Sequence, residues 1–346
     1  MNLTVGTAEV RRILYINVSR IGDTLLVTPA VRAVAKAFPD ASLTLLGHPK
    51  RAEILENLPF VTEVGHITKA RAFWRGRLGP RRYDLAFVCG NDRALIEYAL
   101  RSSRRVVAFE QADPGLNGRL FARATHPDFQ TEHAVRIQLR LPAAIGVEPA
   151  GFALAYAVSR QEAEWARAQL GKPAMKESSP LVGLQVASFP TKAYRDWPLQ
   201  HFAALADRVR QRWPHAHFLI FGGHAEAART SELAVYLGAS ASLFAGKLSL
   251  RQTAALMNQV DLYVGVDTGP THIMGALHRP MVALYHGYSP SRVLAPLEHP
   301  CAYVVDHPKA DKGATPATPM SDISVDAVWR AVERALVEHP PKGDEQ

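Results

Sequence analysis

An acid, a hydroxyl, a glycine and a proline stand at residues 267–270, directly after the apolar run 262–266, and His272 follows two residues later. This order predicts a strand that ends and a helix that begins. The first N–H groups of a helix lack intrahelical partners and its dipole is positive there, which suits a diphosphate. Gly269 lets the backbone approach closely, and Pro270 loses no hydrogen bond in the first turn. His272 is either a ligand of the same anion or an ordinary first-turn histidine.

Two further loops carry residues that can do chemistry. In "VSRIGDTLLVTP", Gly22 permits a tight turn and Asp23 stands near the start of a helix. The Asp23 carboxylate either caps that helix or takes a proton from an incoming hydroxyl. In "ASFPTKAYRDWP", Lys192 and Arg195 are three residues apart. Each is either a surface charge or a ligand of a phosphate.

Alternating strands and helices must position these loops. The apolar runs that predict strands in the first half of the chain are 13–18, 42–46, 85–88, 106–109 and 152–158. A second alternation extends from "PLVGLQVAS" to "PMVALYH", and an amphipathic pattern predicts a last helix over 324–338. This alternation indicates parallel sheets covered by helices, in which ligands bind at the carboxyl ends of the strands. The stretch 171–180, rich in Gly, Pro, Lys and Ser, is the best linker.

Size and composition indicate a globular chain of two domains, with 346 residues, 47% hydrophobic and 21% charged. No segment has the ~18 uninterrupted apolar residues of a membrane-spanning helix. The first residues lack the pattern of an export signal, so we expect a cytoplasmic protein. Cys89 and Cys301 are too few and too isolated for a disulfide framework or a structural zinc. The GxGxxG, P-loop, HExxH and GxSxG patterns are missing, which disfavours classical NAD enzymes, P-loop NTPases, zinc proteases and esterases.

The net charge of +8 lies almost entirely in the first half, where residues 1–150 hold 21 Lys and Arg against 14 Asp and Glu. Residues 69–105 alone hold ten basic residues and three acids. They form either a solvated basic face or a surface for phosphate-rich partners or an anionic membrane. Nucleic acid is disfavoured, because few aromatic residues stand among these charges and no known binding module is present.

Taken in order, four stretches resemble glycosyltransferase family 9, the bacterial lipopolysaccharide heptosyltransferases. They are "ILYINVSRIGDTLLVTPAVRAVAKAFPDASLTLL", "YRDWPLQHFAALADRV", "FGGHAEAAR" and "DLYVGVDTGPTHIMGALHRPMVALYHGYSP". The resemblance implies an α/β protein of GT-B architecture, with two Rossmann-like domains facing across a central cleft. We expect an acceptor-binding domain over 1–175 and a nucleotide-sugar-binding domain over 180–322. A C-terminal helix and tail, 323–346, should pack back on the first domain.

The resemblance also implies the chemistry. Heptose would pass from ADP-L-glycero-β-D-manno-heptose to the inner core of lipopolysaccharide on lipid A, with inversion of the anomeric centre, no metal and no other cofactor. Asp23 would be the general base, Arg20 and Gly22 would contact the acceptor, Asp267 would bind heptose hydroxyls and Glu226 the ribose. The residues that would hold the phosphates are Thr268, Gly269, Thr271, His272 and Lys192 or Arg195, the last replacing a lysine common in the family. The enzyme would work peripherally at the anionic inner face of the cytoplasmic membrane.

Two other functions fit the same residues. One is a related GT-B transferase that uses another sugar nucleotide in core or O-antigen synthesis. The other is a non-catalytic nucleotide- or anion-binding module. The motifs do not decide which heptose of the core would be added.

Overall fold

The structure is a computed structural model that describes residues 9–341 apart from 75–79, 126–127, 129, 172–174 and 176–177. Part of the predicted linker 171–180 and the basic residues Arg75 and Arg77 therefore lie outside the described residues. The chain divides into two compact units between Ala157 and Val158.

The first unit is built on a parallel sheet of six strands among its described residues, in the order β3-β2-β1-β4-β5-β6. These strands are β1 (Arg12–Asn17), β2 (Ser42–Gly47), β3 (Glu63–His66), β4 (Tyr83–Val88), β5 (Ser103–Phe109) and β6 (Ala122–Ala124). The helices of this unit are α1 (Ile21–Leu25), α2 (Thr28–Ala37), α3 (Lys69–Trp74), α4 (Arg93–Ser102), α5 (Pro114–Asn117) and α6 (Ala134–Ala143).

The second unit repeats this plan, with six parallel strands among its described residues in the order β12-β11-β10-β7-β8-β9. These strands are β7 (Leu181–Gln185), β8 (His217–Phe221), β9 (Ala241–Leu243), β10 (Leu262–Val266), β11 (Met281–Tyr285) and β12 (Ala302–Asp306). The helices of this unit are α7 (Arg160–Leu170), α8 (Leu199–Arg212), α9 (Ala227–Leu237), α10 (Leu250–Met257), α11 (Gly269–Leu277), α12 (Ser291–Leu294) and α13 (Val325–Glu338).

Both sheets have the strand order of the Rossmann fold, read from opposite edges. The order reverses between β1 and β4 in the first unit and between β7 and β10 in the second. At such a reversal the loops leave in opposite directions and open a crevice for a ligand at the carboxyl edge of the sheet. The predicted α/β fold class with two Rossmann-like units is therefore confirmed.

The two helices at the ends of the second unit both pack on elements of that unit. Helix α7 starts with a capping box of Ser159 and Glu162, and Glu162 also holds Arg251 of α10 at 2.6 Å. Helix α7 thus belongs to the second unit, although the sequence analysis placed residues 160–170 in the first domain. Helix α13 packs its apolar side on α8 and on strands β10 to β12 of its own unit, where Val328 and Val332 are fully buried.

The strand predicted over 152–158 is wrong, since the structure has no strand there. Side chains of α2 form hydrogen bonds with main-chain groups of this segment, and in a sheet a neighbouring strand would make such bonds. The Arg32 guanidinium donates to the carbonyls of Ala150 and Ala153, and Ala155 N donates to Thr28 Oγ1. These hydrogen bonds tie the segment to α2. Among the described residues, no helix is long and apolar enough to cross a membrane.

Candidate active site

Helix α1, which follows β1, presents Asp23 at the point where the strand order of the first unit reverses. Asp23 is exposed in the first turn of α1, and its carboxylate accepts a hydrogen bond of 2.9 Å from the Ser19 hydroxyl. Arg20 is the N-cap residue, and its side chain makes no capping hydrogen bond. Gly22 is buried as the second helical residue instead of forming the predicted tight turn. The carboxylate of Asp23 is therefore accessible to a hydroxyl that enters from solvent.

Arg51, in the segment that follows the neighbouring strand β2, supports the residues before α1, and the sequence analysis missed it. It follows the carboxyl end of β2, and its Nη1 donates to the carbonyl of Ser19 at 2.8 Å. Partial burial and the charges of Arg51 and Lys50 hold the pKa of His48 below its ordinary value. The carboxyl edge of the first sheet is thus cationic around Asp23, which suits an anionic substrate.

The second unit has a buried ion pair at its own reversal point. Arg195, in the loop after β7, places Nη1 2.7 Å from Oδ2 of Asp267, in the loop after β10. The same Nη1 donates to the main-chain carbonyl of Asp267 at 3.2 Å. The Asp267 side chain is 2% exposed and the Arg195 side chain 17%. The Arg195 side chain therefore keeps a solvent-accessible part beside a carboxylate that is almost completely enclosed.

His272 lies on the other side of the same carboxylate, with Nε2 3.5 Å from Oδ1 of Asp267. Burial opposes the charge of Asp267, but its hydrogen bond with His272 and the charge of Arg195 outweigh that effect and lower its pKa below the ordinary value. Asp267 thus stays ionised at neutral pH and orients two side chains that can donate to an anion. The sequence analysis placed these three residues near one another, and the structure brings them into contact.

Helix α11 begins at this cluster, with Thr268 as its N-cap residue and Gly269 and Pro270 as its first two residues. Thr271 is buried, and its hydroxyl donates to the carbonyl of Val266 at 2.5 Å. The phenol of Tyr263 lies 2.9 Å from the same hydroxyl. The Thr271 side chain therefore faces the strand, and only its main chain contributes to the N-terminus of the helix.

Aromatic and hydroxyl side chains that the sequence analysis missed surround the Arg195 guanidinium. Arg195 Nε donates to the Tyr194 phenol at 3.3 Å and Nη2 to the Ser289 hydroxyl at 3.0 Å. Lys192 Nζ lies 5.6 Å from the centroid of the Tyr194 ring. Burial opposes ionisation of Tyr194, but the charge of Arg195 and a hydrogen bond with Ser289 hold its pKa below the ordinary value. Lys192 and Arg195 thus both lie over the Tyr194 ring.

Glu226 lies on the next loop of the same edge, after β8. Its carboxylate accepts a hydrogen bond of 2.6 Å from the main-chain N–H of Gly223. This bond closes the short 3-10 turn His224–Glu226 that precedes α9. Glu226 is half-buried, and the turn holds its Oε2 atom. Within the described parts of the chain, no group of three or more His, Cys, Asp and Glu side chains is arranged to hold a metal ion.

Residues 71–314 match the family model of "Glycosyltransferase family 9 (heptosyltransferase)". The chain is 20% identical over 294 residues to lipopolysaccharide core heptosyltransferase OpsX of Haemophilus influenzae, with 83% of this chain and 82% of that protein covered. Among solved structures it resembles the glycosyl transferase family 9 protein of Veillonella parvula, with a TM-score of 0.79, 20% identity and 98% and 99% of the two chains covered. It also resembles E. coli ADP-heptose lps heptosyltransferase II, with a TM-score of 0.78, 21% identity and 94% and 99% covered. These likenesses span both α/β units and agree with the predicted GT-B fold class.

Proposed function

The chain belongs to glycosyltransferase family 9, the heptosyltransferases, and from that premise we propose that it moves heptose from ADP-L-glycero-β-D-manno-heptose to the inner core of lipopolysaccharide. The observation that carries the donor half of this proposal is the cluster of Arg195, Asp267 and His272 at the start of α11. A helix N-terminus and a guanidinium at one point suit a diphosphate, because both stabilise negative charge there. We assign the acceptor to the first unit, whose carboxyl edge is cationic.

In the proposed reaction an acceptor hydroxyl attacks the anomeric carbon of the heptose from the side opposite to ADP. The new bond joins the acceptor oxygen to that carbon, and the bond between the carbon and the phosphate oxygen breaks. Asp23 takes the hydroxyl proton, since its carboxylate is exposed and held by Ser19. The negative charge that develops on ADP is stabilised by Arg195 and Lys192 and by the first N–H groups of α11. No step of this scheme requires a metal ion, since these groups supply the positive charge.

We propose the following roles for the remaining donor residues. We assign Thr268, Gly269 and Thr271 to the phosphates through their main chain, because the Thr271 hydroxyl is engaged with Val266. We assign Glu226 to the ribose, with its carboxylate oriented by the Gly223 N–H. Asp267 orients Arg195 and His272. The carboxylate of Asp267 could bind heptose hydroxyls only if Arg195 moved away from one of the two carboxylate oxygens.

Donor identity is tested by thermal shift with ADP-heptose, ADP, and GDP- and UDP-sugars. A ligand that binds only the folded state stabilises it by about 2.7 kcal/mol at roughly 100 times its Kd. We expect a rise in Tm with ADP-heptose and ADP. A rise only with GDP- or UDP-sugars would instead support the related transferase, and mass spectrometry of products from truncated core acceptors would identify the site of transfer.

Asp23→Asn separates catalysis from binding. The loss of a general base lowers kcat by roughly 10²–10⁴-fold, whereas the donor site in the other unit is untouched. We therefore expect the variant to lose transfer and to keep its thermal shift with ADP-heptose. Asp40→Asn, at an exposed carboxylate of the same unit, is the matched control and should transfer normally. Undiminished turnover by Asp23→Asn would remove it as the base, and no turnover by the wild type on any core acceptor would favour the non-catalytic module.

A further inference from the structure

Arg229 is a partly buried cation of α9 that contacts both ends of the loop after β7. Its Nε donates to the carbonyl of Val186 at 2.9 Å, and its Nη2 donates to the carbonyl of Trp197. Val186 directly follows β7, and Trp197 stands two residues before α8. One guanidinium thus joins the first and last residues of the segment 186–197, which we call the β7 loop. This loop carries both cations that we assign to the donor phosphates.

The surroundings of Arg229 are costly for a charge. Burial lowers its pKa, and the charges of Asp196 and Glu232 act against that effect. A buried guanidinium is stable only where hydrogen bonds offset its loss of water. Two main-chain carbonyls of the β7 loop provide such bonds, and a guanidinium suits them because its donors point outward from one rigid plane. Arg229 therefore fixes the distance between the two ends of the loop.

Ser188 and Asp196 hold the β7 loop from within. The main-chain N–H of Ser188 donates to Oδ1 of Asp196 at 2.7 Å, and the Ser188 hydroxyl lies 2.6 Å from the same oxygen. That hydroxyl also lies 2.7 Å from the carbonyl of Lys192. At the end of the loop the Trp197 ring is fully buried, and its N–H donates to the carbonyl of Ile323 at 2.8 Å. The loop is thus closed on itself, and its end is anchored to the segment before α13.

Arg229 also connects the β7 loop to the residue that we assign to the ribose. Glu226 is the N-cap residue of α9, and Arg229 is the third residue of that helix. Three residues span about 4.5 Å along a helix, so the two lie within one turn. The Thr230 hydroxyl donates to the carbonyl of Glu226 at 3.0 Å in the same turn. A shift of the β7 loop relative to α9 would therefore change the separation between Glu226 and Arg195.

We propose that Arg229 is a positioning residue of the donor site, because it sets the β7 loop against the turn that carries Glu226. Lys192 and Arg195 then meet the diphosphate at the separation that lets Glu226 meet the ribose. The effect of Arg229 on the ligand passes through the loop, since its Nε and Nη2 are engaged by loop carbonyls. This inference rests on the proposed donor site, but it concerns the geometry of that site and not the identity of the sugar.

Affinities for ADP and for adenosine, measured by calorimetry, separate positioning from general stability. Adenosine lacks the phosphates, so its binding does not use the cations of the β7 loop. Arg229→Gln removes the guanidinium that joins the ends of the loop. We expect it to weaken ADP binding by roughly 10-fold, as when charge-assisted hydrogen bonds are lost, and adenosine binding by less than about twofold. Arg229→Lys can reach one carbonyl and should give an intermediate loss, and it carries the test if Arg229→Gln does not fold.

Arg279→Gln is the matched control. Arg279 is half-buried like Arg229, and its Nη2 donates to the carbonyl of Val260 at 3.3 Å. Val260 stands before β10, at the amino edge of the same sheet and away from the donor loops. We expect Arg279→Gln to lower the Tm and to leave the ratio of ADP affinity to adenosine affinity unchanged. The same change of ratio in this control would overturn the proposal.

A double-mutant cycle tests the route of the effect. If Arg229 acts through the β7 loop, Arg229→Gln should weaken ADP binding by a smaller factor, less than about threefold, in a protein that already carries Arg195→Gln. Losses of equal factor in the two backgrounds would overturn the proposal. Parallel losses of ADP and adenosine affinity would also overturn it, because they would indicate a general effect on the fold.

The choice of nucleotide keeps the two proposals apart. If the wild type binds GDP or UDP instead of ADP, the ratio is measured against guanosine or uridine. A selective loss of the diphosphate in Arg229→Gln would then refute ADP-heptose as donor and support the positioning role. An unchanged ratio with normal heptose transfer would overturn the positioning role alone. Binding of none of the three diphosphates by the wild type would overturn both.

Discussion

Asp267→Asn should show whether the acid after β10 is used to hold Arg195. The substitution keeps the shape of the side chain and removes its charge, so the Arg195 guanidinium loses a partner at 2.7 Å. Removing one member of a buried ion pair costs about 3–5 kcal/mol. Arg195 is 17% exposed and keeps the Asp267 carbonyl and the Ser289 hydroxyl as acceptors, so we expect the lower end, about 3 kcal/mol of unfolding free energy.

Urea denaturation, monitored by tryptophan fluorescence, measures this loss of unfolding free energy in the second unit, where Asp267 lies. Four of the five tryptophans lie after Val158, so the signal comes mainly from the second unit. A double-mutant cycle with Arg195→Gln should give a coupling energy of about 2–3 kcal/mol, because the second substitution removes the unpaired charge. The control cycle uses Arg160 and Glu164, an exposed pair at 2.8 Å, and should give about 0.5 kcal/mol or less.

The pH dependence of the stability of Asp267→Asn tests whether the pKa of Asp267 is lowered in the folded protein. The pKa of Asp267 is lowered in the folded protein, because His272 and Arg195 together overcome the effect of burial. Its contribution is therefore fully present above the unfolded pKa near 4 and is lost as the pH falls through the folded pKa. Asp267→Asn should lose less stability than the wild type when the pH is lowered below about 4. A cost under about 1 kcal/mol, with additive single substitutions, would refute the idea that this pair fixes Arg195.

Two further substitutions test the second unit. Burial, with the charge of His278, lowers the pKa of His299 to about 4. The unfolded state therefore takes up a proton at a higher pH than the folded state does, and stability falls as the pH drops from about 6.5 to 4. His299→Gln should remove up to about 3 kcal/mol of this acid loss in urea titrations, and an unchanged pH profile would contradict the assigned pKa. Thr271→Val removes the hydroxyl that hydrogen-bonds with the buried Tyr263 phenol and the Val266 carbonyl. We expect this variant to lose about 1–3 kcal/mol of stability and to keep its affinity for ADP. Thr271→Ser, which keeps the hydroxyl, is the control. If Thr271→Val lost ADP binding without losing stability, the Thr271 hydroxyl would instead bind the phosphates.

The long strands and helices could be predicted from sequence because each carries a strong apolar pattern. Strands β1, β4 and β10 are almost wholly buried, and their apolar runs stand out. The short strands at the sheet edges gave no such signal. Strand β3, for example, is only partly buried and includes Glu63 and His66, so its four residues look like a loop. Pairing with a neighbouring strand, not local composition, makes such a segment a strand.

The sequence predicts which loops form the candidate site, but it does not predict which side chains contact one another there. Parallel strands bring their following loops to one edge, so Arg195 and Asp267 could be placed near each other although 72 positions separate them. The pairing of their charges depends on side-chain directions that no local pattern encodes. The same holds for Ser289, 94 positions from Arg195, and for Arg51, which contacts Ser19 from the segment after β2.

Asp23 and Asp267 each follow a strand at the reversal of strand order in their own unit, Asp23 after β1 and Asp267 after β10, yet their surroundings suit opposite tasks. Asp23 is exposed and accepts one hydrogen bond from Ser19, so an oxygen is available to take a proton. Asp267 is 2% exposed, and its two oxygens face Arg195 and His272. A carboxylate engaged in this way takes up a proton only at the expense of both contacts. The first can act as a base, whereas the second is suited to fix the groups that stabilise a departing diphosphate.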